Sequence, residues 1–582
     1  MKHPTLHPLL LAGLILPAVL ASAADPRLSS WFTAESAKYS RVRETDAAAA
    51  AGATTWTGQS LPAYAGVQEI ASDANYIYVR SYGLAGYVMG PWYLNAARTQ
   101  LFPNRPVASA RYRRVSRNPA PAASKTATGL GSIGMYVNGV SLFDNRDAFY
   151  WNGAAEANGS GYWNRDAWVN EGITFDYGFA HQEQTGNYHY HAFPPALRYQ
   201  LGDNVSYNPA TFRYTEQTND LRHSPILAWV ADSFPIYGPY GYSNATNAAS
   251  PVRRIVSGFV RRDGSSGSDN IATTGRSTIP AWAQRAYSIG ASPLAGPAVS
   301  TTYPLGRYLE DNAYLGDLIK ASTGTNYQLG VDFDLNEYNV RWCVTPEFSN
   351  GTWAYFCTLG SDGNPAFPYA LGRQYWGTPD TAALNAIPAA ATNYFKGGPD
   401  LASTMNAPSR AGNDVVLTWS SIEGGTYRLE CSTNIASTNW VFVNTNIVAT
   451  GTVATVTATN SASGNARYYR AARTALANYF GGTNTTGGGT GAVAPGGSAS
   501  RGTTVTVTIT LPTTPPQPPA NIVPTGVTLA GTIAGTSISR PTAGTVLATF
   551  VIPANAPTGA QNIVVTFNPA PTYTLTGAFT IN

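Results

Sequence analysis

The chain has 582 residues, enough for about three folded units, and its aromatic fraction of 12% excludes a disordered polymer. Its net charge of +4 is almost wholly arginine, since lysine occurs only at Lys2, Lys38, Lys125, Lys320 and Lys396. Arginines scattered this way, densest at Arg111-Tyr112-Arg113-Arg114 and at Arg253-Arg254 with Arg261-Arg262, read as solvated strand faces and argue against a nucleic-acid partner.

In chain order, Met1–Ala24 (residues 1–24) reads as a secretory signal peptide. Lys2 precedes the apolar run Leu9–Leu16, and small residues follow at Ala21-Ser22-Ala23-Ala24. The run is too short for a membrane span, and no later segment of the mature chain offers one. The expected location is secreted, extracellular or cell-surface. Residues 25–400 read as one large, irregular, β-rich domain with strands at Tyr76–Arg80, Met135–Val137 and Trp353–Phe356. Asn138-Gly139 predicts a hairpin between Met135–Val137 and Val140–Phe143. Helical patterns are sparse, the better ones at Ser30–Tyr39 and at Asp380–Ile387 before Pro388.

Residues 403–475 read as a small β-sandwich with strands at Val415–Trp419, Thr426–Glu430 and Tyr468–Arg470. A linker rich in Gly, Thr and Ser follows over 476–500. Residues 501–582 read as another immunoglobulin-like sandwich, with strands at Thr504–Thr510, Thr545–Ile552 and Asn562–Phe567. The fold class expected is mainly β throughout. Of the three cysteines, Cys343 and Cys357 are placed to close a disulfide across the Pro346–Gly351 turn, leaving Cys431 as a free thiol. The sequence has no C-x-x-C pair to support a thiolate zinc site.

The stretch Tyr188-His189-Tyr190-His191 alternates two side-chain types at the period of a strand. His189 and His191 should share one face and Tyr188 and Tyr190 the other. Of the six histidines, His3 and His7 belong to the leader, so His181, His189, His191 and His223 are all that the mature chain keeps. Neutral imidazoles at this spacing suit a transition metal, and copper or zinc is expected in an exported protein. Asp176, Glu183 and Asp232 are candidate carboxylate ligands or partners of the ring N–H groups, with Tyr188 and Tyr190 beside them. The rival reading makes Tyr-His-Tyr-His an aromatic strand whose imidazoles only satisfy backbone and hydroxyl groups. The segment Ala231–Tyr242 is punctuated by Gly and Pro into fixed turns, the composition of a loop that shapes a site or covers a sheet edge.

These blocks resemble a known family. Tyr188-His189-Tyr190-His191, then His223-Ser224-Pro225, then Asp232-Ser233-Phe234-Pro235-Ile236-Tyr237-Gly238-Pro239 are similar to the YHYH-domain proteins exported by bacteria. Val137-Asn138-Gly139-Val140 within Gly134–Phe143, and Val344-Thr345-Pro346-Glu347 leading to Ala354-Tyr355-Phe356, extend the likeness over most of 25–379. The resemblance implies the domain and carries no activity with it. The chain is also similar to multidomain secreted proteins that append immunoglobulin-like modules.

Three function classes stay open on the sequence: a metal-binding exported protein, a non-catalytic binder of polysaccharide or a cell surface, and a secreted hydrolase. The second would use tryptophans such as Trp31, Trp56, Trp92, Trp151, Trp163, Trp168 and Trp229. The third would pair a histidine with Asp232 or Glu183. Gly129-Leu130-Gly131-Ser132-Ile133-Gly134 matches a dinucleotide loop but lacks the strand before and the helix after. No G-x-S-x-G elbow occurs.

Overall fold

Period-two alternation carries most of the chain into strands, and the protein is mainly β, with few and short helices among the described residues. The computed structural model describes residues 25–54, 63–292, 294–459, 461–462, 467–475, 493–494, 498–511, 524–542, 544–567 and 572–582. The signal stretch Met1–Ala24, Trp56 and most of 476–500 lie outside the described residues.

The sheet that holds His181 and His189 has eight strands. They are β1 (Ser132–Tyr136), β2 (Ser141–Phe143), β3 (Ala180–Gln182), β4 (Tyr188–Tyr190), β5 (Ile226–Val230), β6 (Pro235–Tyr237), β7 (Val340–Cys343) and β8 (Thr352–Phe356). Their spatial order is β3-β4-β2-β1-β5-β6-β8-β7. β3 and β4 are antiparallel, with His181 opposite His189, while β4 runs parallel to β2, with His189 opposite Ser141. The β1–β2 hairpin turns where the sequence places it, Gly139 N donating to Tyr136 O at 2.8 Å. Gly139 has φ +81°, and a Cβ there would stand 2.5 Å from the Ser81 side chain, so the corner requires glycine.

A four-stranded sheet ordered Thr392–Lys396, Val67–Ser72, Tyr76–Ser81, Arg111–Ser116 packs on the same core. Val67, Ile70, Ile77, Val79 and Val115 join Met135, Tyr136, Leu142, Tyr188, Tyr190 and Trp229 in one buried apolar cluster. Each such side chain contributes roughly 1.5–3 kcal/mol on burial, so β4 is anchored by its tyrosine face. Helix α1 (Ala167–Glu171) begins at Asp166, whose carboxylate accepts from Val169 N at 3.2 Å. Ala167 N donates to Asn145 O at 3.0 Å, tying the helix to the loop after β2.

Downstream, two three-stranded sheets close around Leu417, Trp419, Tyr427 and Leu429. A four-stranded and a five-stranded sheet close around Val507, Ile509, Phe550, Ile563 and Val565. Val493–Ala494 and Ser498–Ala499, inside the stretch read as a linker, pair as short strands with Thr508–Ile509 and Thr580–Ile581. An Arg41–Glu423 ion pair and a Glu423 N to Ala37 O bond of 3.1 Å join the first body to the unit after it.

Three expectations are corrected. Ser30–Tyr39 is turn and bend rather than helix, because Phe32 N is taken by Val137 O at 2.9 Å. Asp380–Ile387 is not helical either, since Asp380 N bonds Ala231 O and its carboxylate clasps Arg114. Tertiary partners here override a weak local preference. The third is the disulfide: Cys343 and Cys357 are both free and buried. Cys343 lies opposite Thr352 across β7–β8, which leaves Cys357 five residues, roughly 16 Å at ~3.3 Å per residue, further along. Burial pushes the Cys343 thiol up to about 11 and raises Cys357 as well. Both should resist thiol reagents in the native protein and react after denaturation without any reductant, as an Ellman titration would read.

Candidate metal centre

Strand register builds this site. Cross-strand partners share a face, so His181 on β3 lies beside His189 on β4, and His191 follows two residues later on the same side. The ligating atoms of the three imidazoles lie within 4.8 Å of one another. All three rings are buried, at 5%, 2% and 4% exposure, so whatever meets their nitrogens is protein or a bound ion.

Each Nδ1 has a partner that fixes its tautomer. His189 Nδ1 lies 2.7 Å from Asn187 O and His191 Nδ1 lies 2.5 Å from Asp144 O. A carbonyl only accepts, so both Nδ1 atoms carry the proton and both Nε2 atoms present a lone pair. His181 Nδ1 lies 2.7 Å from Thr174 Oγ1, whose own proton goes to Glu171 O at 2.6 Å. The hydroxyl must therefore accept from His181 as well, which leaves the third Nε2 unprotonated. Asp144 is itself held by Arg146 Nε at 2.5 Å and Arg373 at 3.3 Å, so the carbonyl that orients His191 is not free to drift.

The lone pairs converge. His189 Nε2 and His191 Nε2 stand 3.0 Å apart, and neither has a proton to give the other. Glu171 Oε2, at the C-terminal end of α1, lies 3.3 Å from His191 Nε2 and 3.7 Å from His181 Nε2. That oxygen is buried with no hydrogen-bond donor among the described residues, although 27% of the side chain is exposed. Three unprotonated Nε2 atoms and the Glu171 carboxylate face one another, an arrangement that repels unless a proton on Glu171 or a cation sits among them. Ligands about 2.0–2.1 Å from a tetrahedral ion stand about 3.3 Å apart, close to the separations seen.

Burial, then the neighbouring histidines, holds His181 and His189 well below the ordinary imidazole range. Burial also takes His191 down to about 4. All three are neutral at physiological pH, the state that binds metal. Burial, reinforced by Asp147 and Asp166, pushes Glu171 up to about 8. Aromatic rings form a collar: Phe143 stacks on His189 at 3.8 Å, and Phe175 lies 4.8 Å from His181 and 6.0 Å from His191. Phe102 covers His181 at 6.0 Å. The solvent side of the site is the Glu171 rim.

The remaining sequence candidates fall elsewhere. His223 lies apart from the cluster, its ring 5.3 Å from Tyr237, 4.8 Å from Tyr242 and 6.3 Å from Phe356. Tyr237 is on β6, four strand spacings from β4, roughly 19 Å at ~4.8 Å each. The Asp232 carboxylate accepts from Tyr355 Oη at 2.6 Å, Gly377 N at 2.8 Å and Phe234 N at 3.3 Å, so it pins the Ala231–Tyr242 loop. Glu183 caps its own turn through Thr185 N and Asn187 N. Asp176 accepts from Gly90 N, Gly178 N and Tyr188 Oη, bracing β4 from behind. Tyr188 and Tyr190 face away from the imidazoles, each bonded to Tyr87 Oη, at 2.8 and 2.7 Å.

Glu171 escaped the sequence reading. It lies ten residues before His181, with no motif spacing to a histidine to mark it. Thr174 escaped too, although Glu171-x-x-Thr174 is the turn that closes α1. Thr174→Val should lower metal affinity about 10–100-fold by freeing the His181 ring, measured by competition with a chromophoric chelator.

No curated protein matches the chain. Residues 112–365 match the family model described as YHYH protein, a span that holds all eight strands of the sheet, α1 and the three clustered histidines. This part of the chain, residues 112–365, is a YHYH domain.

Proposed function

We propose that the chain is an exported metalloprotein whose YHYH domain binds one transition-metal ion through Nε2 of His181, His189 and His191, with Glu171 Oε2 as the fourth ligand. The observation that carries this reading is the inward convergence of three Nε2 atoms whose tautomers leave them unprotonated, beside a carboxyl whose proton an ion would displace. Three imidazoles and one carboxylate suit zinc or copper, with no thiolate to favour a softer ion. Phe102, Phe143 and Phe175 pack against the imidazoles and bury them. The Glu171 rim is the route for the ion, and its carboxylate is the ligand whose release would open a coordination position.

The signal stretch 1–24, the 25–400 domain and the immunoglobulin-like modules at 403–475 and 501–582, joined by 476–500, complete the proposal as a secreted protein whose modules attach or space the metal domain. No helix among the described residues is long and apolar enough to cross a membrane. The hydrolase reading built on Asp232 or Glu183 has less support, because both carboxylates are taken up by tyrosine and backbone donors.

Elemental mass spectrometry on the full chain, expressed in metal-replete medium, tests the proposal. The expected result is about one copper or zinc ion per chain, removed by a chelator and restored on titration. A chain that arrives without metal and takes up none would end the reading.

A further inference from the structure

The 403–475 unit turns one sheet face to solvent, and that face carries an ordered set of side chains. Its strands Val441–Val448, Thr426–Ser432 and Tyr468–Ala475 lie in that order, with Glu430 opposite both Phe442 and Arg470, and Ser432 opposite Tyr468. Paired residues share a face, as do residues two apart on one strand. Arg428, Glu430, Phe442, Tyr468 and Arg470 therefore project together. The opposite face supplies the core through Tyr427, Leu429, Tyr469 and Ala471.

Outward-facing aromatics are unusual on a sheet face that needs only to meet water. Phe442 is 58% exposed and Tyr468 39% exposed. The Arg470 guanidinium lies 4.4 Å from the centre of the Trp440 ring, and that of Arg428 lies 5.8 Å from Phe442. Glu430, with 4% of its side chain exposed, meets Arg428 Nε at 2.9 Å and Arg470 Nε at 2.5 Å. The two arginines keep 42% and 50% of their side-chain surface exposed. One buried carboxylate thus accepts a hydrogen bond from Arg470, pairs with Arg428, and neutralises only half of the two guanidiniums' charge. The planes are set in advance, so a ligand would meet little ordering cost.

We propose that this face is a binding platform for acidic polysaccharide. Flat rings accept the apolar faces of sugar residues, and guanidiniums beside them accept uronate carboxylates through paired N–H donors. A neutral glycan would leave the excess positive charge unmatched. A purely electrostatic partner would have no use for Trp440, Phe442 and Tyr468. The platform is separate from the metal centre, and the two stand or fall independently.

Affinity electrophoresis of the full chain in gels containing polygalacturonate or neutral dextran reads the proposal directly. The wild-type chain should be retarded by polygalacturonate and not by dextran, and the retardation should fade as salt rises. Trp440→Ala and Arg470→Ala should each weaken binding about tenfold or more, with far-UV circular dichroism and metal content unchanged. Arg470→Lys, which keeps the charge without the plane, should retain part of the affinity. Equal migration in polygalacturonate and blank gels would overturn the proposal, and so would variants retarded like the wild type. A dimer by sedimentation that Trp440→Ala dissolves would also overturn it, since a second copy would then occupy the face.

Discussion

His189→Ala should leave a folded chain that no longer retains metal. The ring sits between the other two imidazoles, 3.0 Å from His191 Nε2 and packed 4.7 Å from His181 by ring centres. Its loss leaves two nitrogens and a rim carboxylate, too few donors to hold a four-coordinate ion against chelators. The expected fall in affinity exceeds the 10–100-fold typical of removing a partner that merely orients a ligand. Stability supplies a second readout. Metal at about 1,000 times its dissociation constant should stabilise the wild-type chain by about 4 kcal/mol, raising its Tm, and should leave the variant's melt unmoved. Tyr190→Phe is the matched control, since that side chain faces the core and touches no ligand. A His189→Ala chain that holds one ion with wild-type affinity would remove the site.

Metal uptake should be pH-dependent through a carboxylate rather than through imidazoles. The three histidines are already neutral in the folded chain, because burial holds each below its ordinary range. Glu171 is the group that must lose a proton, with its pKa pushed up to about 8 chiefly by burial. Affinity should therefore rise about tenfold per pH unit up to about 8 and then level, about 100-fold in all from pH 6 to 8. Calorimetry in buffers of different ionisation enthalpy should record nearly one proton released per ion at pH 7. Glu171→Gln should flatten the profile while weakening binding.

The metal-free protein should show the converse trend. Between the ordinary glutamate value of 4.5 and about 8, the folded chain keeps a proton on Glu171 that the unfolded chain has lost. That contribution to stability is lost as pH rises through the window, and Glu171→Gln removes the dependence. A pH profile falling as two or three protons, centred near 6.5, would point instead to imidazoles that titrate normally.

The strand carrying the site was legible because its alternation is a local property. Tyr188-His189-Tyr190-His191 assigns faces by period alone, and the tyrosines do enter the core while the imidazoles face one another. The β1–β2 hairpin was legible for the same reason, since Asn138-Gly139 states its turn in two residues. His181 was suggested by composition and placed by the register of β3 against β4, which no local pattern specifies. His223 was suggested by the same scarcity argument and lies near β6, because sequence proximity does not order strands within a sheet. Glu171 was invisible because its role depends on where a five-residue helix ends, and Asp166 and Asn145 set that through contacts distant from any motif. The misplaced helices at Ser30–Tyr39 and Asp380–Ile387 failed alike, their amides claimed by partners far along the chain.

The pairing of His181 with His189 has a further consequence for how such a chain reaches its final form. A shift of one residue between these two short strands would set Tyr188 or Tyr190 opposite His181, phenols where imidazoles belong. An ion captured at this spot therefore rewards a single alignment and withholds its help from the neighbouring ones. The cation would act as a proofreader of assembly, and refolding in its presence should give a larger share of correctly aligned chains than refolding with a chelator.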